Sequence, residues 1–166
     1  MTPPPAQRTR ETPVTVRVFS QQFSSTPRGA RLARCLALHE LHAWGVPPGS
    51  DTSDAAALVL AELTANAVTH GRVPGRNFEL VVSLTADVLR IEVSDTRGEC
   101  RPPAPALGSG PGSGPGTGPG TGPARPDPLA DTGRGLLLVQ AVATRWEVRD
   151  RPPVGKTIAA ELALRT

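Results

Sequence analysis

The chain alternates between stretches with strand periodicity and stretches with helix periodicity. Near the start, Val14, Val16 and Val18 alternate with polar residues, which predicts a half-buried strand in a fold that begins near Pro13. Apolar residues then recur at helical spacings over residues 27–44, and this spacing predicts a first helix. The proline-rich stretch before Pro13 shows neither periodicity, so a disordered N-terminal arm is predicted there.

A second helix and a β-hairpin are predicted in the middle of the chain. The helix covers residues 55–68, follows four candidate capping residues at 51–54, and ends at Gly71. Two runs of alternating apolar and polar residues, over 78–84 and 88–95, are separated by a short turn. Because only this turn joins them, the two strands are predicted to form a hairpin.

A tetrapeptide repeat interrupts the pattern between Gly108 and Pro123, where GSGP occurs twice and is followed by GTGP twice. The repeat has no apolar side chain to bury and no preference for helix or strand. A connection of this length inside one domain is either a mobile active-site lid or simple disorder. The sequence therefore predicts a flexible lid insertion, rich in glycine and proline, at about residues 101–130.

The end of the chain predicts one more helix and a second hairpin. A helix that opens with glycines is predicted over 133–143, followed by strands over 145–150 and 156–164. Hairpins with helices on one side describe an α+β fold, here a two-layer α/β sandwich with a mixed, mostly antiparallel sheet. One domain over 13–166, preceded by the arm over 1–12, accommodates all these elements.

Composition predicts a small aliphatic core and argues against several classes of protein. Apolar residues make up 38% of the chain and aromatic residues only 3%, so leucine, valine, isoleucine and alanine must fill the core. The net charge of +3 is carried by scattered arginines, which argues against direct nucleic-acid binding. The two cysteines form no metal-binding or disulfide pattern, and no apolar run has the length of a signal core or membrane span. A cytoplasmic protein without membrane contact is predicted.

A short polar stripe lies at the end of the second predicted helix. Glu62, Asn66 and His70 follow one another at four-residue steps, whereas apolar Leu58 and Val59 occupy the same side one turn earlier. A carboxylate and a carboxamide placed this way can hold a hydrated magnesium ion and orient a water or hydroxyl nucleophile. An ordinary exposed helix end explains the stripe equally well on this segment alone.

The second strand of the predicted hairpin ends in a carboxylate on its apolar side. Leu89, Ile91 and Val93 share one face, and the two-residue period of a strand puts Asp95 on that face as well. A buried carboxylate costs several kcal/mol unless it finds hydrogen-bond donors. The amino group of an adenine is one such donor, and a backbone amide or an arginine side chain is the alternative.

Two glycines stand at the start of the third predicted helix. Gly133 and Gly135 let the backbone approach a phosphate closely, and Arg134 between them adds a cationic contact. Glycines before helices usually only make turns, so this pattern is weak by itself. The GKT sequence at 155–157 is similar to the end of a P-loop, but Asp150 stands where that motif needs glycine and a strand follows. A P-loop is therefore excluded.

Taken in chain order, these motifs resemble the sequence boxes of the GHKL superfamily of ATPases. The phrases ELTANAVTHG, TGRGLLLV and GKTIAAEL are most similar to its stand-alone anti-sigma-factor serine/threonine kinases. The resemblance implies the Bergerat ATP-binding fold, with ATP and Mg²⁺ as cofactors. It implies that Asn66 binds magnesium, that Glu62 prepares the attacking hydroxyl or water, and that Asp95 receives the adenine amino group. Gly133 and Gly135 would then wrap the phosphates beneath the lid.

The resemblance extends the expected nucleotide contacts to four further residues, Gly98, Arg134, Leu136 and Thr157. The chain departs from the family pattern at Arg97, which stands where the first glycine box has a glycine. We expect the Arg97 side chain to narrow the adenine pocket or to reach toward a phosphate.

The resemblance implies a regulatory ATP-binding protein that phosphorylates a serine or threonine of an anti-sigma antagonist, or sequesters a sigma factor. A second interpretation keeps the fold but makes the chain a catalytically inactive module that sequesters a regulatory partner, and Arg97 and the repeat-filled lid favour it. An independent ATP hydrolase is the least favoured, because the sequence predicts no second domain that could couple hydrolysis to work. Relatives of this type often form dimers, so a homodimer is a further expectation.

Overall fold

The computed structural model describes residues 15–71, 73, 75–96 and 128–164. These residues form five strands and three helices in the order β1 (Arg17–Ser24), α1 (Pro27–Ala43), α2 (Asp51–Thr69), β2 (Asn77–Leu84), β3 (Val88–Asp95), α3 (Pro128–Val142), β4 (Arg145–Asp150) and β5 (Lys156–Ala163). The predicted arm, residues 97 and 98, and all of the predicted lid up to residue 127 lie outside the described residues.

The strands form one sheet in the order β1-β2-β3-β5-β4, in which every pairing between neighbours is antiparallel. Both predicted hairpins are confirmed, since β2 pairs with β3 and β4 pairs with β5. The two hairpins join through β3 and β5, which lie side by side although α3 and β4 separate them along the chain. This pairing aligns Asp95 at the end of β3 with Lys156 at the start of β5.

The helices cover one face of the sheet and bury its apolar side chains. Helix α1 packs against β1 and α2, α2 packs against β3 and β5, and α3 packs against α2 and β4. The core is almost entirely aliphatic; its largest fully buried side chains include Phe78, Leu41, Leu60, Leu63, Leu80, Leu89 and Ile91. The predicted α+β two-layer sandwich is confirmed. None of the helices described here is long and apolar enough to cross a membrane.

The predicted orientation of the first strand is wrong. Val16 and Val18 are 52% and 58% exposed, and the inward positions of β1 include Phe23, which is buried. The ring of Phe23 stacks on that of Phe78 in β2, with centroids 5.7 Å apart. Pairing with β2 therefore selects the aromatic side of β1 for the core, while Val18 faces the uncovered side of the sheet.

Two helices begin earlier than the sequence pattern predicts. The N-cap of α2 is Ser50, whose hydroxyl accepts a hydrogen bond from the Ser53 amide at 3.2 Å, so the cap lies just before the predicted cluster. Helix α3 begins at Pro128 rather than Gly133, because proline suits the first turn of a helix. Gly133 and Gly135 consequently lie inside α3 and not at its first turn.

Candidate functional site

The carboxylate of Glu62 in α2 lies directly against the backbone of Gly135 in α3. A Cβ atom added to Gly135 would be 2.2 Å from Oε2 of Glu62, which is far shorter than any tolerable contact. Only glycine lets the two helices approach with the carboxylate in this position. The tertiary structure therefore brings together the acid and one of the two glycines that the sequence motifs single out.

The C-terminal end of α2 packs over Asp95. A Cβ atom added to Gly71, just after the helix, would be 2.4 Å from Cγ and Oδ2 of Asp95. Asp95 is only 4% exposed and lies on the same side of β3 as the core residues Ile91 and Val93. The predicted placement of this carboxylate on the apolar face is confirmed by the structure, and Gly71 is the residue that makes room for it.

Asp95 has an ionic partner that sequence reasoning missed. The ammonium group of Lys156 lies 3.0 Å from Oδ2 of Asp95, and both side chains are almost completely buried. Among protein groups, the sequence pattern predicts a backbone amide or an arginine as the donor to Asp95, and the structure has a lysine there instead. A signal was present, because the apolar alternation of β5 at Ile158 and Ala160 extends back to Lys156 and puts it on the core side.

Asn66 contributes an unsatisfied polar atom between these two contacts. Its Nδ2 atom is buried and makes no hydrogen bond to any described residue. Its backbone carbonyl accepts from the amides of His70 at 2.9 Å and Gly71 at 3.2 Å, which fixes the end of α2. A buried amide nitrogen without a hydrogen-bond partner lowers stability. In native structures such atoms often bind a ligand, an ion or water.

Helix α2 thus carries a line of polar groups with a distinct neighbour at each end. The segment from Glu62 to its C-cap residue His70 is about 12 Å long at the rise of an α-helix. Gly135 lies against the Glu62 end, and the pair Asp95–Lys156 lies beneath the Gly71 end. An elongated ligand with a polar ring at one end and phosphates at the other matches this order of groups.

Comparison with protein families identifies the fold and the class of ligand. A family model described as a histidine kinase-like ATPase domain matches residues 23–161. The chain belongs to this family. The match runs from the end of β1 into β5 and includes all the site residues described above, so the expected GHKL membership and ATP binding are confirmed at this level. The chain matches none of the curated proteins with which it was compared.

Other residues that the resemblance assigns to the nucleotide have different surroundings in this ATPase domain. The hydroxyl of Thr157 pairs with that of Ser94 at 2.7 Å on the uncovered side of the sheet, away from Asp95. The Leu136 side chain is 5% exposed and packs in the core, so only its backbone remains for a ligand. Gly133 lies within α3, as does Arg134, and the Arg134 side chain is outside the described part of the chain.

The uncovered face of the sheet in the ATPase domain carries an ion network centred on Arg90. Its guanidinium donates to Glu147 at 2.8 Å, to Glu92 at 3.2 Å, and to Glu161. Partial burial alone would lower the pKa of Arg90, but hydrogen bonds, that to Glu147 foremost, raise it above the ordinary value. The hydrogen bond from Arg90 in turn holds the pKa of Glu147 below its ordinary value. This network joins β3, β4 and β5 on the side opposite Asp95.

Proposed function

We propose that this ATPase domain is a regulatory protein kinase of the anti-sigma type, which transfers phosphate from Mg-ATP to a serine or threonine of a cytoplasmic protein partner. The observation that carries the proposal is the contact between Glu62 and Gly135. It puts a carboxylate where the phosphate end of a nucleotide would lie if the base is at Asp95.

The role that we assign to Glu62 is to orient the attacking hydroxyl. Phosphoryl transfer needs little covalent chemistry from the protein, so positioning and charge neutralisation supply most of the rate. A carboxylate within hydrogen-bond reach of the partner's hydroxyl can accept its proton as the phosphorus–oxygen bond forms. Since Gly135 has no side chain, the Glu62 carboxylate can lie against the backbone of α3.

Asn66 fits a role at the metal and phosphates. The carboxamide has one oxygen that can bind magnesium and an amino group that can donate to a phosphate oxygen, and the amino group has no partner among the described residues. Magnesium, when bound, neutralises charge on the phosphates. The Asn66 side chain would therefore contact both the magnesium ion and a phosphate of the same Mg-ATP complex.

The surface beside α2 supports a protein as the phosphate acceptor. Arg28, Arg31 and Arg34 follow one side of α1, are exposed, and make no ion pair with any residue in the described ranges. A groove of about 290 Å³ lies between α1 and α2, with Arg31 and Arg34 on one wall and Ala61, the neighbour of Glu62, on the other. These arginines would attract an acidic partner to the face of α2 that adjoins the Glu62 face.

Two measurements test the proposed function. Calorimetry with ATP and magnesium should show binding to the wild type and a clear loss of affinity in Asn66→Ala, with Asn77→Ala as the control for an asparagine outside the site. Radiolabelled ATP should transfer phosphate to an anti-sigma antagonist, and Glu62→Gln should abolish transfer while ATP still binds. The control Glu40→Gln should behave as the wild type. Undiminished transfer by Glu62→Gln contradicts the role of Glu62, and absence of ATP binding contradicts the proposal.

A second candidate is a partner-binding module that transfers no phosphate. It would apply if the salt bridge from Lys156 to Oδ2 of Asp95, 3.0 Å long, were the whole role of that carboxylate. The same calorimetry separates the two candidates, since a module without nucleotide function shows neither heat of binding nor a raised melting temperature with Mg-ATP.

A further inference from the structure

Lys156 is the only lysine of the chain and, with Asp95, one of two buried charged residues in the part of the chain that the structure describes. It is 3% exposed, and its ammonium group lies 3.0 Å from Oδ2 of Asp95. The pairing of β3 with β5 puts the two residues directly opposite each other on the core side, next to the apolar pair Val93 and Ile158. Lysine is almost never fully buried unless it is paired, and here the Asp95 carboxylate is a partner.

We infer that Lys156 is a positioning residue for nucleotide recognition, which holds the Asp95 carboxylate in the orientation that accepts the amino group of adenine. This inference rests on the proposed ATP site and adds a residue to it. It also makes the pair Asp95–Lys156, rather than Asp95 alone, responsible for the preference for adenine over guanine.

The cost of burying the Asp95 carboxylate explains why Lys156 would act as its positioning residue. A carboxylate in an apolar environment is costly, and removing one partner of a buried ion pair leaves an uncompensated charge. Gly71 lies against the Asp95 carboxylate on the α2 side, with room for no further atom, so the side chain has little freedom there. The ammonium group of Lys156, 3.0 Å from Oδ2, therefore favours one orientation of the Asp95 carboxylate.

The chemistry of the two purines makes the orientation matter. Adenine carries an amino group at the position where guanine carries a carbonyl oxygen. A fixed carboxylate accepts from the first and repels the second, whereas a carboxylate that can turn loses this distinction. Without Lys156, affinity for ATP should fall while contacts to the phosphates persist.

The experiment compares three ligands on four proteins. Calorimetry measures Mg-ATP, Mg-GTP and inorganic tripolyphosphate with the wild type, Lys156→Met, the double variant Lys156→Met with Asp95→Asn, and the control Arg90→Met. The control removes an ion-pair hub on the opposite face of the sheet, so it reports what loss of stability alone does to binding. Melting curves of all four proteins in the absence of ligand identify the temperature at which each is folded.

We expect Lys156→Met to weaken ATP binding by about tenfold or more and to bring ATP and GTP affinities closer together. Tripolyphosphate should bind Lys156→Met as it binds the wild type, and Arg90→Met should keep the wild-type affinity for ATP. The double variant should regain thermal stability but not the preference for adenine, because a neutral pair is easier to bury than a single charge. Unchanged ATP affinity and unchanged discrimination in folded Lys156→Met would overturn the inference while leaving the ATP site intact. A wild type that binds no ATP would overturn both proposals.

A measurement on the wild type covers the case in which Lys156→Met does not fold. Because the chain has one lysine, protein labelled with carbon-13 lysine gives side-chain signals from Lys156 alone. Titration with Mg-ATP should shift these signals with the same midpoint as the calorimetric binding curve, and tripolyphosphate should leave them in place. Saturation with ATP without any shift of the Lys156 signals contradicts the inference.

Discussion

Glu62 in α2 and Gly135 in α3 touch so closely that the Glu62 carboxylate occupies the space that a side chain at position 135 would need. The two residues are far apart along the chain and meet only because α3 packs against α2. In the proposed site, this contact marks the end at which we expect the phosphates.

Substitution of Gly135 by alanine should separate function from stability. The new Cβ atom would lie 2.2 Å from Oε2, the far end of a flexible side chain, so Glu62 can move aside. Alanine also favours a helix over glycine by about 0.5–1 kcal/mol, which offsets the local strain. We expect the melting temperature to stay within a few degrees and phosphate transfer to fall about tenfold or more, because Glu62 is displaced. Transfer assays and thermal melts, with Gln140→Ala in the same helix as control, check this, and full activity in Gly135→Ala contradicts it.

Substitution of Gly71 by alanine should lower stability as well as ATP binding. Its Cβ atom would lie 2.4 Å from Cγ and 2.6 Å from Cβ of Asp95, and the buried pair with Lys156 leaves that side chain no room to move. We expect a loss of about 1–3 kcal/mol in the free energy of unfolding, as for other overpacked sites, together with weaker ATP binding. Urea titrations of Gly71→Ala and the wild type measure the first effect, and calorimetry measures the second. Wild-type values for both would show that α2 does not close on Asp95 as described.

The ion network on the uncovered face should make stability depend on pH through Glu147. The pKa of Glu147 is lowered by the hydrogen bond from Arg90, so its charged form is favoured in the folded state. The resulting stabilisation is present above the ordinary glutamate pKa, about 4.3, and is lost as pH falls through the lower folded value. Glu147 is partly exposed, so we expect a contribution of about 1 kcal/mol or less.

Urea unfolding of the wild type and Glu147→Gln between about pH 7 and pH 3 checks this prediction. The stability difference between them should shrink on acidification, whereas Glu40→Gln, outside the network, should follow the wild type throughout. ATP affinity of Glu147→Gln should equal that of the wild type, since Glu147 and Asp95 lie on opposite faces of the sheet. A difference that grows on acidification would be inconsistent with the Arg90–Glu147 bond.

Reversal of charge on α1 should affect the protein partner but not the nucleotide. The double variant Arg31→Glu with Arg34→Glu should slow phosphorylation of the partner about tenfold or more, because the proposed acidic surface would be repelled. Its ATP affinity should not change. The control Arg17→Glu reverses an exposed charge on β1, and raising the salt concentration should narrow the gap between the double variant and the wild type. Equal phosphorylation by all three proteins would place the partner elsewhere on the surface.

Sequence patterns predicted most of the elements and missed some of their orientations. The hairpins were predicted almost to the residue, because their alternation and short turns are local properties. The inward side of β1 was predicted wrongly, since the contact of Phe23 with Phe78 depends on which strand pairs with β1. Helix α3 begins five residues before its predicted start, because Pro128 lies in its first turn and Gly133 lies inside it.

In the candidate site, too, local motifs were predicted from the sequence and a contact between distant segments was not. Sequence motifs singled out Glu62, Asn66 and Asp95, and the structure puts them along one helix and the strand end beneath it. The partner of Asp95 was not found, because it lies on a strand more than fifty residues away, beyond the repeat.

The amino-acid sequence by itself determined the helix and strand periods, the aliphatic core and the order of polar motifs, since each depends on neighbouring residues in the chain. Only the tertiary structure decided that β3 lies beside β5 and that α3 lies against α2. Those two arrangements bring Lys156 to Asp95 and Gly135 to Glu62, because contacts between distant segments depend on how the layers pack and not on local pattern.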